Sequence, residues 1–356
     1  MIIGVPKEIK VQEYRVAIMP LGVVELISAG HDVLIEKEAG LGAGFTDQEY
    51  RQCGAKIVSA NQAWAAQLVI KVKEPLSSEY GYLQGQVIFT FLHLAGVEKE
   101  LTRRLIKSGT TAIAYETLED EGGGLPILAP MSAIAGNMAA LMGGYYLARF
   151  NQGNGVQLGM VLAKRHGKVL VIGDGVVGLH AARTLNSMGA NVFLAGLCEG
   201  KVGVQISGEL RGVEYLYSEE AVIARHCLDA DLVIGAVLKT GQKAPHVVSK
   251  EMVVSMGKGA VVVDVSIDQG GCVETSKATT HDNPVYVKHD VTHYCVANMP
   301  GAYPRSSTIA LCNASLVYIQ LLADKGLDWF LRQDMGAVNI YKSKIINEKV
   351  ALSLKD

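Results

Sequence analysis

Three side chains in the first half of this sequence have types that suit one kind of ligand. Arg15 offers a planar fork of donors, Lys73 an ammonium group and His93 an imidazole. A guanidinium, an ammonium and a ring able to exchange a proton suit a small carboxylate bearing a carbonyl. Lys73 comes at the end of the run "LVIKV" (68–72), His93 follows "VIFTFL" (87–92), and Arg15 follows the loop after "IIGV" (2–5). In an open parallel sheet the carboxyl ends of the strands share one edge, and ligands bind there. A plainer reading stays open, in which Lys73 pairs with Glu74 at the surface and His93 caps a strand.

The second half carries a different pattern. "VIGDGVVG" (171–178) places Gly173, Gly175 and Gly178 after the run "KVLVI" and at the start of the helical stretch "GLHAARTLNSMG". A tight glycine turn between strand and helix brings backbone amides and a helix N-terminus to an anion, the arrangement that receives a dinucleotide pyrophosphate. Asp174 sits between the first two glycines, so it faces either the phosphates or solvent. Solvent is the expectation, because Gly175 lets the backbone present its amides while the side chain turns away. The carboxylate that usually meets the adenosine ribose belongs about 20 residues on. There the sequence has Ala195 and Gly196, with Glu199 late and Lys201 nearby, which implies weaker repulsion of a 2′-phosphate.

Further on, "VVVDVSIDQGG" ends an apolar run with Asp264 and Asp268, followed by Gly270 and Gly271. Either carboxylate could act as an acid, a base or an ammonium partner, or serve as a turn residue bonding local amides. His289 and His293 are four apart but lie between strand-like runs, and no metal is expected. Met131, Met138 and Met142 have the spacing of core residues on one helix.

The elements that must position these groups alternate between two kinds. The runs at 2–5, 32–36, 68–72, 87–92 and 110–116 are strand-like, and "PLGVVELISAG" (20–30) reads as a helix opened by proline and closed by glycine. The second half repeats this with runs at 168–173, 191–195, 231–237, 259–265 and 294–299. Residues 131–148 read as a buried helix, and 307–326 as an amphipathic helix with Ser306 or Ser307 as N-cap. Such alternation implies mainly parallel sheets flanked by helices, with a cut between the halves near residues 125–130. With 356 residues, 49% hydrophobic and 19% charged, there is material for two cores. The formal net charge of −2 and the absence of a basic tract argue against nucleic acid. No signal pattern or membrane span is expected, and six scattered cysteines without a C-x-x-C pair fit a reducing cytoplasm.

Taken together, "GVPKEIK", "YRVAIMP", "EAGLGAGFTDQEY", "KVKEP", "FTFLHLA", "AYETLE", "LAPMSAIAG", "DVSIDQGGC" and "HYCVANMPGA" resemble alanine dehydrogenase, from the N-terminus to "NIYKSKIINEKVA". The neighbouring transhydrogenase family is similar, and Asp268 in "IDQGG" matches the dehydrogenase better. The resemblance implies an α/β protein of two Rossmann-like domains with mainly parallel sheets. A cofactor domain (128–304) would be inserted in a discontinuous catalytic domain (1–127 and 305–356).

It implies NAD as cofactor, reversible conversion of L-alanine to pyruvate and ammonium, and a cytoplasmic homohexamer. By position, Arg15, Lys73 and Asn298 would bind substrate, while His93 and Asp268 would move protons. The cofactor would lie along Ser132, Gly173, Gly175, Val176, Val177, Gly178, Gly196, Lys201, Val237, Leu238, Ile267, Asp268, Asn298 and Met299. Departures fall on the cofactor side: Asp174 replaces a small residue, Gly196 the ribose aspartate, and Ala133 and Asn137 a glutamate and an arginine. The alternative is a weakened or silent dinucleotide-binding homologue.

Overall fold

The computed structural model describes residues 1–94, 99–198, 208–238, 243–333 and 335–354. They form two compact units, Met1–Met131 with Gly301–Asp356, and Ser132–Pro300. The expected cuts at 127/128 and 304/305 fall a few residues to either side. The first division lies inside the helix Leu128–Leu147 instead of before it.

The first unit opens with strands β1 (Ile2–Val5), β2 (Asp32–Glu36), β3 (Lys56–Val58), β4 (Leu68–Ile70), β5 (Val87–Thr90) and β6 (Thr111–Ala114). The chain then passes through the second unit. That unit holds β7 (Gly159–Val161), β8 (Lys164–His166), β9 (Lys168–Ile172), β10 (Asn191–Gly196) and β11 (Glu214–Tyr217). It continues with β12 (Leu232–Gly235), β13 (Val261–Asp264), β14 (Val285–Lys288) and β15 (Val291–Tyr294). The chain returns to the first unit for β16 (Val338–Tyr341) and β17 (Lys344–Ile345).

Among the described residues the first unit has an eight-stranded sheet in the order β17-β16-β6-β5-β4-β1-β2-β3. β1 to β6 run parallel, and β16 and β17 are antiparallel additions at one edge. The seven-stranded sheet of the second unit has the order β11-β10-β9-β12-β13-β15-β14, antiparallel only at β14. Among the parallel strands both orders reverse direction once, between β1 and β4 in one unit and between β9 and β12 in the other. The crevice beyond the carboxyl ends of the strands at such a reversal is where ligands bind in open α/β sheets.

Why the central strands read as unbroken apolar runs is visible in the second unit. Val169 and Val171 of β9 enter one core cluster, while Leu170 and Ile172 enter the other. A sheet covered on both faces needs apolar residues at every position, not at alternate ones. Helix Leu128–Leu147 lies tight against this sheet and its neighbours: a Cβ on Gly143 would come within 2.5 Å of Leu232, and one on Gly136 within 2.3 Å of the Val177 carbonyl oxygen. Met131 and Met138 are buried, as their spacing suggests.

Several expected boundaries differ. The run expected at 294–299 is strand only at its first residue, because β15 covers Val291–Tyr294 and Asn298 then takes a left-handed φ of +59°. Helix Pro304–Lys325 begins before Ser306, with proline in its first turn and no side-chain cap. By length and composition this helix could cross a membrane; half of its most apolar window is instead buried in the protein. The pair β3 and β11, and the pair β16 and β17, carry no strong apolar run. Each of β3, β11 and β17 closes a sheet edge, where one side of the strand is less covered.

Candidate functional site

In the first unit, the segments after β1 and β4 flank the reversal in strand order, and the segment after β5 is next along the edge. Arg15 is buried and gripped by Glu13, two residues earlier. Nε donates to Glu13 Oε1 at 2.6 Å, Nη2 donates to Oε2 at 2.5 Å, and Nη1 lies 3.1 Å from Met131 Sδ. This two-pronged contact fixes the guanidinium plane before any ligand arrives.

Lys73 is also buried. Its backbone N–H donates to Glu8 Oε1 at 3.3 Å, and its carbonyl accepts from Thr90 Oγ1 at 2.9 Å. Glu8 in turn joins Glu79 in holding the fully buried Lys71 ammonium, at 3.2 and 3.0 Å. The plainer reading placed Lys73 and Glu74 at the surface, but both are buried, and Glu74 takes the Lys10 ammonium at 2.5 Å.

His93 adopts a φ of +48°, the left-handed region that few residues other than Gly take, though Asn, Asp and His are enriched there. Its N–H donates to Glu116 Oε1 at 2.6 Å, and Leu92 N–H donates to Oε2 at 3.1 Å, so one carboxylate pins the turn. The ring stacks on Phe91 with centroids 5.5 Å apart. Although part of the residue reaches solvent, packing around the ring removes much of its hydration. That desolvation, then the charges of Lys73, Lys10 and Arg15, pull its pKa down to about 3. An unperturbed imidazole, near 6.5, exchanges its proton close to neutral pH, whereas this ring stays neutral well below it. The Glu116 carboxyl is pushed up to about 7 by burial, against the lowering effect of the amides it accepts from.

In the second unit, the glycine turn lies between β9 and the helix Val176–Met188. Gly173 has a φ of +113°, and a Cβ there would sit 2.3 Å from the Ala236 carbonyl oxygen. A Cβ on Gly178 would sit 1.7 Å from the Gly173 carbonyl oxygen, so helix and turn close only without one. Above Gly175 the space is open, and the helix N-terminus there has no side-chain cap. Unspent amides, a helix dipole and room for a backbone-hugging ligand fit a dinucleotide pyrophosphate.

Val176 is exposed and Val177 half-buried at the start of the helix, while Val237 and the exposed Leu238 follow β12 beside the turn. Ser132 is half-buried on the helix Leu128–Leu147. On the same helix Asn137 accepts a hydrogen bond from Thr184 Oγ1 at 2.9 Å, a neutral contact between neighbouring helices. Lys201 and Glu199 lie outside the described residues.

The Asp174 side chain does not turn to solvent as expected. It is half-buried, and Tyr215 Oη donates to its Oδ2 at 2.7 Å. Asp264 is the turn residue of its pair, fully buried and accepting from the N–H groups of Ser266, Cys272 and Val273 at 3.0, 2.9 and 3.1 Å. Asp268 is exposed, and both its oxygens accept the Asn298 N–H, at 3.2 and 3.3 Å. Ile267 is largely buried, and Met299 is buried in the core beneath. His289 sits in the β14–β15 turn and His293 on β15 bonded to Thr275, so the two do not share a helix face.

Sequence reasoning missed Glu13, Glu8, Glu116 and Tyr215. Each acts by fixing another residue, and only Glu13 is close enough in sequence to Arg15 for spacing to have pointed to it.

Residues 4–135 match the family model for the N-terminal domain of alanine dehydrogenase/PNT, and 139–348 that for the C-terminal domain. The chain is 46% identical to alanine dehydrogenase of Mycolicibacterium smegmatis, covering 99% of this chain and 97% of that protein. It is 50% identical to alanine dehydrogenase of Bacillus subtilis over 92% of this chain and 86% of that one. A solved L-alanine dehydrogenase superposes with a TM-score of 0.91 at 45% identity, covering 100% of this chain and 99% of the other.

Proposed function

Because the chain belongs to the alanine dehydrogenase/PNT family, we propose that it interconverts L-alanine with pyruvate and ammonium, using NAD. The observation that carries this reading is the placement of buried Arg15, buried Lys73 and half-buried His93 on the segments after β1, β4 and β5, adjacent strands at the reversal of the first sheet, with burial and the nearby cations lowering the His93 pKa. Such a place calls for an anion, and a carboxylate with a carbonyl beside it suits donors of these kinds.

Arg15, held flat by Glu13, grips the substrate carboxylate. Lys73 holds carboxylate and carbonyl oxygens, and its ammonium favours the polarised carbonyl. His93 bonds the reacting oxygen and exchanges its proton. Asp268 handles protons of the ammonium and water, with Asn298 fixing its carboxylate through the backbone N–H. Bound along the glycine turn, a nicotinamide dinucleotide supplies the acceptor or donor of the hydride. Gly173, Gly175 and Gly178 would hold its pyrophosphate, with Val176 and Val177 lending the first amides of the helix. The described cysteines are all free, in keeping with a cytoplasmic protein. Met160, Val161 and Leu162 on the β7–β8 hairpin are exposed apolar residues, which supports an association of subunits such as the homohexamer proposed.

The purified protein is expected to oxidise NADH only when pyruvate and ammonium are both present, as read by the loss of nicotinamide absorbance. No rate above background at saturating NADH and alkaline pH, with NADH still bound, would favour the silent homologue.

The neutral ring gives a second expectation. A bound carboxylate favours the imidazolium, so saturating pyruvate should raise the His93 pKa from about 3 towards its ordinary value. By linkage, the protonated form then binds pyruvate more tightly. NMR titration, with the signal assigned by its loss in His93→Gln, should show no transition between pH 5 and 8 in the free protein. A free ring titrating near 6.5 would contradict the field described here.

A further inference from the structure

The end of β10 and the glycine turn are built around one carboxylate. A Cβ on Gly196 would lie 2.4 Å from Asp174 Cγ, 2.5 Å from Asp174 Oδ2 and 2.2 Å from Tyr215 Oη. No side chain fits at residue 196 while Asp174 stands there. The carboxyl carbon of an aspartate at 196 would be one bond, about 1.5 Å, from that Cβ. Asp174 therefore puts its carboxylate into the small volume beside the strand end that such an aspartate would claim.

Tyr215 on β11 holds it there. Its hydroxyl donates to Asp174 Oδ2 at 2.7 Å and accepts the Cys198 N–H at 3.0 Å. Burial and the neighbouring carboxylate push the phenol up to about 12, so it stays a donor at neutral pH. In the βαβ dinucleotide arrangement, the acid at the end of the second strand accepts the adenosine-ribose hydroxyls. In this unit that strand is β10, and its last residue is Gly196.

We propose that Asp174 is the ribose acceptor, its carboxylate reaching from the glycine turn into the place left by Gly196. The proposal rests on the reading that the second unit binds a dinucleotide. Gly196 is then not a lost contact but the space that admits Asp174. A carboxylate at this place also repels a 2′-phosphate, so NADH is preferred over NADPH without an acid at 196. Tyr215 is a positioning residue that fixes the acceptor.

Equilibrium binding of NADH, NADPH and 2′-deoxy-NADH, measured by calorimetry without amino-acid substrate, tests this. Asp174→Ala should weaken NADH binding about 10- to 100-fold and narrow the NADH preference over NADPH, the scale of a hydrogen bond to a charged acceptor. Its effect on 2′-deoxy-NADH should be much smaller. Gly196→Asp alone should also weaken NADH, because two carboxylates then compete for one volume. The double change Asp174→Gly with Gly196→Asp should return NADH binding to within about threefold of the parent, since it moves the acid without removing it.

Tyr215→Phe, which keeps the ring, should weaken NADH more than 2′-deoxy-NADH; equal losses would make Tyr215 merely structural and remove it from the proposal. If the parent binds NADH while Asp174→Ala binds it as well or better, or if Gly196→Asp alone improves it, the assignment is wrong. A parent that binds no dinucleotide would overturn the reading of the second unit itself.

Discussion

Lys73→Ala is expected to lower kcat/KM for pyruvate at least ~100-fold without unfolding the protein, a loss of about 2.7 kcal/mol in transition-state stabilisation. Lys73 is buried beside the edge of β4, where its charge acts on His93 in a desolvated setting. Charge interactions there are stronger than in water, so truncation removes both an anion contact and the polarisation of the carbonyl. The backbone should survive the change, because its anchors are the Glu8 carboxylate and the Thr90 hydroxyl, which bond main-chain atoms. Steady-state kinetics with thermal unfolding as a control checks this. The same variant should raise the His93 pKa from about 3, since one of the cations lowering it is gone. Near-normal kinetics in the folded variant would remove Lys73 from the mechanism.

Asp268→Asn should lower kcat at least ~100-fold while NADH binding changes little, because the substitution keeps the shape and an acceptor for the Asn298 N–H but removes the charge. Proton transfer to or from ammonium and water needs a group that can take up and release a proton, and an amide cannot. Parallel measurement of turnover and NADH affinity separates the two effects. A loss confined to NADH affinity would make Asp268 a cofactor contact and not an acid or base.

The central strands were legible because both faces of each sheet are covered, which forces uninterrupted apolar runs such as 168–172 and 259–265. The glycine turn was legible for a related reason: a tight strand-to-helix turn is local, and Gly173 and Gly178 occupy positions where a Cβ would meet a carbonyl oxygen. Edge strands such as β3 and β11 were not legible, since a half-covered strand has no need of the apolar run that marks a central one. The strand read at 294–299 failed because an apolar string does not show where the backbone turns left-handed, as it does at Asn298.

The candidate site divides in the same way. Residue types and strand ends were enough to single out Arg15, Lys73 and His93 as groups for a carboxylate. Only the tertiary structure decided their states, because the partners that set them come from other segments. Glu116 pins His93 from 23 residues away, and the burial that keeps its ring neutral is reinforced by cations on the segments after β1 and β4. Asp174 shows this most clearly. From its neighbours alone it faced phosphate or solvent, yet Tyr215, 41 residues on, turns it into the space left open by Gly196. Periodicity and turn chemistry act over a few residues and can be read along the chain. Charge fields and shared volumes depend on distance in space, so they exist only once the sheet has brought those strand ends together.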